Sequence, residues 1–112
     1  MLAVDHDGVV VASLEGEVDM ANAAEVRAQL HSSLSSNAVG VVIDLTRTTY
    51  VDSRGIYLLV ETHERVQTSQ QPLRIVCPAA SPIRRLLLVS HLPIPVDSTV
   101  EEAIQQIRQT AG

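Results

Sequence analysis

The run Val41-Val42-Ile43-Asp44-Leu45 constrains the fold more than any other segment. It is β-branched and nearly continuous in apolar character, so as a strand it has no polar face to turn to water. Such a strand belongs in the middle of a sheet, covered by helices on at least one side. Helical periodicity flanks it. Upstream, Asn22 reads as an N-cap with Glu25 in the first turn, and Ala23, Val26, Leu30 and Leu34 recur at helical spacing. Downstream, Asp52-Ser53 opens a second helix with Ile56, Leu59, Val60, His63 and Val66 as its apolar face, and Ser69 to Pro72 ends it.

The remaining segments follow the same alternation. Leu2–Asp5 and Val9–Leu14 are short β-like runs around Asp7-Gly8, a strong hairpin signal because Gly accepts the positive φ of a tight turn. Gly16 ends the second of these strands, and Thr46 to Val51 reads as a loop. Leu73–Cys77 is a further strand. Ser81-Pro82 reads as an N-cap followed by Pro at the first helical position, with a short helix over Ile83–Val89. Ile94-Pro95-Val96 is at best a short edge strand, since Pro95 cannot donate to a ladder. Ser98-Thr99-Val100-Glu101 is a capping box for a last helix that carries Val100, Ala103, Ile104 and Ile107 on one face. The order β, β, α, β, α, β, α, β, α implies an α/β domain with a mixed sheet, and residues 1–112 are expected to form one domain.

Composition excludes several function classes. The chain carries a net charge of −5, and all eight of its basic residues are scattered arginines. It has neither the basic face of a nucleic-acid binder nor a polybasic membrane segment, and without Trp or Phe it offers no stacking platform for bases. The lone Cys77 permits a reducing compartment, and no apolar run reaches membrane-spanning length. The start Met1-Leu2-Ala3-Val4-Asp5 lacks a basic stretch leading into an apolar one, so the protein is expected in the cytoplasm.

No enzyme is legible. There is no phosphate-cradling glycine loop, and Asp52-Ser53-Arg54-Gly55 is not a nucleophile elbow. His63 lies too far along the same helix to act as a base for Ser53. His6 between Asp5 and Asp7 reads as a solvated turn, and neither His31 nor His91 has metal-ligand spacing to a partner. No metal or cofactor is expected. Arg84 and Arg85 read as solvated, with a partner contact as the alternative.

Ser53 sits where a loop meets a helix start. Unsatisfied N–H groups and a partial positive charge there are expected to tolerate a phosphate, which would add about −1.5 to −2 charges to the surrounding surface. By residue type alone, a plain cap made by Asp52 or Ser53 explains the same residues.

The segment Asp44-Leu45 through Tyr50-Val51-Asp52-Ser53-Arg54-Gly55-Ile56 resembles the signature of STAS domains, specifically of bacterial anti-sigma factor antagonists. Leu14-Glu15-Gly16-Glu17-Val18-Asp19, the strand Arg74-Ile75-Val76-Cys77 with Ser81-Pro82-Ile83-Arg84-Arg85-Leu86-Leu87, and the terminal Val100-Glu101-Glu102-Ala103-Ile104 resemble other elements of that family in the same order. The resemblance implies a single STAS-like domain, with a mixed four- to five-stranded sheet and helices packed mainly on one face. It further implies a non-enzymatic switch. The unphosphorylated form binds an anti-sigma factor that is itself a serine kinase and so releases a sigma factor. Phosphorylation at Ser53 switches binding off, and a PP2C-type phosphatase restores it. Asp19, Asp52, Ser53, Arg54 and Gly55 are then the expected partner-binding residues, on a monomer or weak dimer. The alternative within the family is an unphosphorylated STAS interaction module of a stressosome, a transporter or a lipid-transport complex. Two positions depart from the family pattern: Arg54 replaces a second Ser or Thr, and Tyr57 replaces a small residue. An arginine there is expected either to pair with a phosphate on Ser53 or to change which kinase accepts the site.

Overall fold

The computed structural model describes residues 1–111. β1 (Leu2–His6) and β2 (Val9–Ser13) pair as an antiparallel hairpin, with Leu2 opposite Ser13 and His6 opposite Val9. Asp7 and Gly8 both take positive φ, 52° and 93°, and the Gly8 N–H donates to Asp5 Oδ1 at 2.7 Å. That is the primed turn the Asp-Gly pair predicts.

The main sheet has the order β1-β2-β4-β6-β7, where β4 is Gly40–Asp44, β6 is Leu73–Val76 and β7 is Val96–Asp97. All pairings beyond the hairpin are parallel. The β-branched run thus lies at the centre, with Val41, Val42 and Ile43 fully buried. Its two faces meet different helices. Val41 and Ile43 pack with Leu30 of α1 (Ala23–Ser32), Leu58, Leu59 and Val66 of α2 (Ser53–Gln67) and Ile83 and Leu87 of α3 (Pro82–Val89). Val42, with Val9, Val11 and Val76, meets Ala103 and Ile107 of α4 (Val100–Ala111). Three helices cover one face and one covers the other, matching the expected asymmetry. The edge strand β7 is held by a two-pronged pair between Arg74 and Asp97, which leaves the Asp97 side chain only 11% exposed.

Four local expectations are corrected. Thr48–Val51 is not loop but strand β5, which pairs in parallel with β3 (Gly16–Val18) in a separate two-stranded sheet. Asn22 holds the N-cap position of α1 as expected, but its side chain makes no capping bond: it accepts from the Asp19 N–H and donates to the Glu17 carbonyl, so the preceding loop claims it. The capping box of α4 lies one residue later than expected: Thr99 Oγ1 accepts from the Glu102 N–H, and the Glu102 carboxylate reaches back to Ser98. Arg84 is not free in solvent, since its guanidinium donates to the Cys77 carbonyl at 2.6 Å and ties α3 to the end of β6.

The inward face of α2 is also turned from the expected one. Gly55, Leu58, Leu59, Thr62 and Val66 are buried, whereas Ile56, Val60 and His63 are half-buried. Thr62 can face inward because its hydroxyl donates to the Leu58 carbonyl and accepts from His31 Nε2 of α1 at 3.1 Å. His31 Nδ1 is buried without a partner, so protonating the ring would strand a second N–H. Burial lowers the His31 pKa below 6.5, helped by the Arg65 and Arg27 charges and opposed by Glu61. A histidine depressed in the folded state binds fewer protons there than when unfolded, so its contribution to stability falls as pH drops below about 6.5. Urea denaturation at pH 7.5 and 5.5 is expected to show a larger acid-side loss for the wild type than for His31→Gln. Equal losses would contradict this role.

No helix among the described residues is long and apolar enough to cross a membrane.

Candidate functional site

The β3–α1 loop and the start of α2 are stitched together by one carboxylate. Asp52 Oδ1 accepts from the N–H groups of Arg54 (2.9 Å) and Gly55 (3.1 Å), which makes Asp52 the N-cap of α2. Its Oδ2 accepts from the Met20 N–H at 2.9 Å, across to the other segment. The Asp52 N–H donates to the Val18 carbonyl. Burial raises the Asp52 pKa, but the N–H donors of Gly55, Met20 and Arg54 outweigh it and hold the carboxyl below its ordinary value. Asp19 shapes the facing loop: its Oδ1 accepts from Ala21, and its carbonyl accepts from Asn22 and Ala23. Asp52→Ala removes three bonds at once. Its melting temperature is expected below the wild type's, and Asp52→Asn, which keeps one acceptor oxygen, is expected in between; thermal denaturation checks both.

Gly55 lets α2 approach this closely. A Cβ there would lie 2.6 Å from Val51 Cγ1 and 2.7 Å from the Val18 carbonyl oxygen. The helix start is pressed onto β3 and β5 at a distance only glycine permits.

Ser53 is the first residue of α2 and is exposed, and its hydroxyl makes no hydrogen bond among the described residues. The capping geometry narrows which helix N–H groups could hold a phosphate here: the Arg54 and Gly55 amides already belong to Asp52 and the Ile56 N–H donates to the Asp52 carbonyl, which leaves the Ser53 N–H as the amide of the first turn with no acceptor among the described residues. A charge placed on Ser53 Oγ would project into solvent beside a carboxylate. Around it stand apolar side chains with no core to enter: Met20 is 74% exposed and Tyr57, one helical turn beyond Ser53, is 62% exposed. Tyr50 of β5 is likewise exposed. Exposed apolar side chains beside a polar loop are a feature common at protein interaction surfaces.

Of the five expected site residues, Asp19, Asp52, Ser53 and Gly55 converge on this corner. Arg54 is adjacent in sequence but turns aside: it lines a groove between α1 and α2 with Ala23, Arg27, Tyr57 and Glu61. Met20 and Tyr50 were not among the expected residues. Met20 carried a signal, an apolar residue between Asp19 and Asn22 that fits neither a strand nor a helix period.

The STAS domain family model matches residues 1–103. The anti-sigma-F factor antagonist RsfB of Mycobacterium tuberculosis is 34% identical over 65 residues, 58% of this chain and 53% of RsfB. The match thus spans about half the length of that curated relative. An anti-sigma factor antagonist from Mycobacterium paratuberculosis superimposes with a TM-score of 0.82 at 27% identity, over 96% of this chain and 92% of that one. The Bacillus cell fate determinant SpoIIAA in its phosphorylated form shares the fold, with a TM-score of 0.67 at 24% identity over 95% and 97% of the two chains.

Proposed function

The chain belongs to the STAS domain family, and from that membership we propose that it is an anti-sigma factor antagonist working by partner switching in the cytoplasm. Unphosphorylated, it binds an anti-sigma factor with serine kinase activity and frees the sigma factor. Phosphorylation of Ser53 ends that binding, and a PP2C-type phosphatase reverses it. The protein acts by binding, not by catalysis of its own.

One observation carries the reading. An exposed, unbonded serine hydroxyl stands at the first position of α2, among bare apolar side chains, with the neighbouring amides already claimed by Asp52. A kinase can reach such a hydroxyl, and a phosphate on it would find the Arg54 and Gly55 amides already engaged. Its charge would meet the partner directly. Likeness to named antagonists in two mycobacteria supports the same partner class.

The test is size-exclusion chromatography of the purified chain with each serine-kinase anti-sigma factor of its own genome, alone and loaded with sigma factor. The expected result is a new antagonist–anti-sigma complex and displaced sigma factor. Co-elution with a transporter subunit or a stressosome scaffold instead would favour the other role open to this family.

A further inference from the structure

Arg54 departs from the family pattern, and its position in the structure gives that departure a use. Successive helical residues point roughly 100° apart, so Ser53 and Arg54 face different ways from the same turn. Arg54 lies instead in line with Tyr57, Leu58 and Glu61, on the side of α2 that faces α1. Across the groove are Ala23, Ala24 and Arg27.

The charges in this groove are unequal. Glu61 is committed to Arg27, its Oε1 lying 2.7 Å from Arg27 Nε. Arg54 has neither an ion pair nor a side-chain hydrogen bond among the described residues. The groove therefore holds one uncommitted guanidinium on a chain whose net charge is −5. Its other features suit a longer side chain laid along it: the short Ala23 and Ala24 leave room, and the exposed ring of Tyr57 gives an apolar wall.

We propose that Arg54 recognises the partner by taking one of its carboxylates in the groove between α1 and α2. The inference rests on the reading of the chain as an anti-sigma factor antagonist and names the chemistry of the occupant: an Asp or Glu of the anti-sigma factor, its carboxylate received by the planar guanidinium fork and its stem lying against Tyr57. The groove begins at Arg54, the residue after Ser53, and includes Tyr57 one turn beyond Ser53, so a partner that docks at Ser53 stands at its end. Arg54 is then a specificity residue that selects among anti-sigma factors, and it does not clamp a phosphate on Ser53.

The test is isothermal titration calorimetry of the wild type, Arg54→Lys, Arg54→Gln and Arg54→Glu against the anti-sigma factor that binds the wild type. Arg54→Glu is expected to weaken binding about 30-fold or more and Arg54→Gln about 10-fold, with Arg54→Lys between Gln and wild type. The wild type should lose affinity more steeply with added salt than Arg54→Gln. Reversing the paired acid of the anti-sigma factor to Arg should restore binding to Arg54→Glu. No variant should melt below the wild type, because the Arg54 side chain is exposed and makes no bond among the described residues. Binding of Arg54→Glu within about twofold of wild type would overturn the inference and leave the antagonist reading standing. Self-association of the wild type that Arg54→Glu abolishes would assign the groove to a second copy, and also overturns it. If the wild type binds no anti-sigma factor, the antagonist reading itself fails first, and the inference with it.

Discussion

Ser53→Glu is expected to weaken binding to the anti-sigma factor about 100-fold, while Ser53→Ala binds within about threefold of the wild type. A charge desolvated against a docking surface costs several kcal/mol, and roughly 3 kcal/mol corresponds to that factor. The fold should not suffer. Ser53 is exposed at the first position of α2, where an acid is mildly favourable with the helix dipole. Equal or higher melting temperature with lost affinity would therefore identify a surface effect. The capping arrangement adds to the effect: the Arg54 and Gly55 amides are held by Asp52 and are not free to receive the added charge. The complementary variant sharpens the test. Ser53→Ala lacks the hydroxyl, so incubation with kinase and ATP should leave its affinity unchanged while that of the wild type collapses.

Gly55→Ala is expected to destabilise the domain by about 3 kcal/mol, the upper end of what overpacking costs. The new methyl would stand 2.7 Å from a backbone carbonyl oxygen, which cannot rotate away as a side chain can, and 2.6 Å from Val51 Cγ1. For a domain of this size the loss corresponds to a fall of roughly 10–20 °C in melting temperature. The displacement also lifts the helix start off β3 and β5, stretching the bond from Met20 to Asp52 that joins the two halves of the surface. Binding should weaken more than stability alone explains, measured at a temperature where both proteins are folded. A substitution to Ala at the same helix's exposed Glu64 serves as the control. If Gly55→Ala melts within about 2 °C of wild type, far less than overpacking predicts, the close approach of α2 does not hold in solution.

Much of this architecture was legible in the residues because each signal had one physical meaning. The β-branched run at Val41 permitted only a buried central strand, and Asp7-Gly8 permitted only a tight turn. The illegible parts are those where two meanings competed. Thr48-Thr49-Tyr50-Val51 is β-prone, yet it is short and has an exposed centre, and it pairs with β3 outside the main sheet, so nothing local distinguished strand from loop. Asn22 is a good cap by type, but Asp19 and Glu17 offer its amide better partners. Both Ser98 with Glu101 and Thr99 with Glu102 fit a capping box, and only the geometry chooses the second. The face of α2 turned from the expected one because Gly55, with no apolar side chain, is the innermost residue of its first turn, and because Thr62 satisfies its own hydroxyl.

The functional corner was legible unevenly for the same reason. Asp52 and Gly55 are explained by capping and close packing, and those roles are visible only once the Met20 amide and the Val18 carbonyl are placed beside them. Ser53 is marked by the opposite: its hydroxyl forms no hydrogen bond among the described residues, so no side-chain contact there accounts for it. Arg54 is adjacent to it in sequence yet belongs to another face of the helix, a distinction that spacing along the chain does not convey.

The central claim is that Ser53 is a phosphate switch on a partner-binding surface. Its most direct test is to incubate the protein with the anti-sigma kinase that binds it and ATP, map the phosphate by mass spectrometry, and measure the affinity of the product for the same kinase. Phosphate on Ser53 alone, with binding reduced about 100-fold and recovered after treatment with a PP2C-type phosphatase, is the predicted result. Phosphorylation elsewhere, or full occupancy at Ser53 with unchanged affinity, would contradict it.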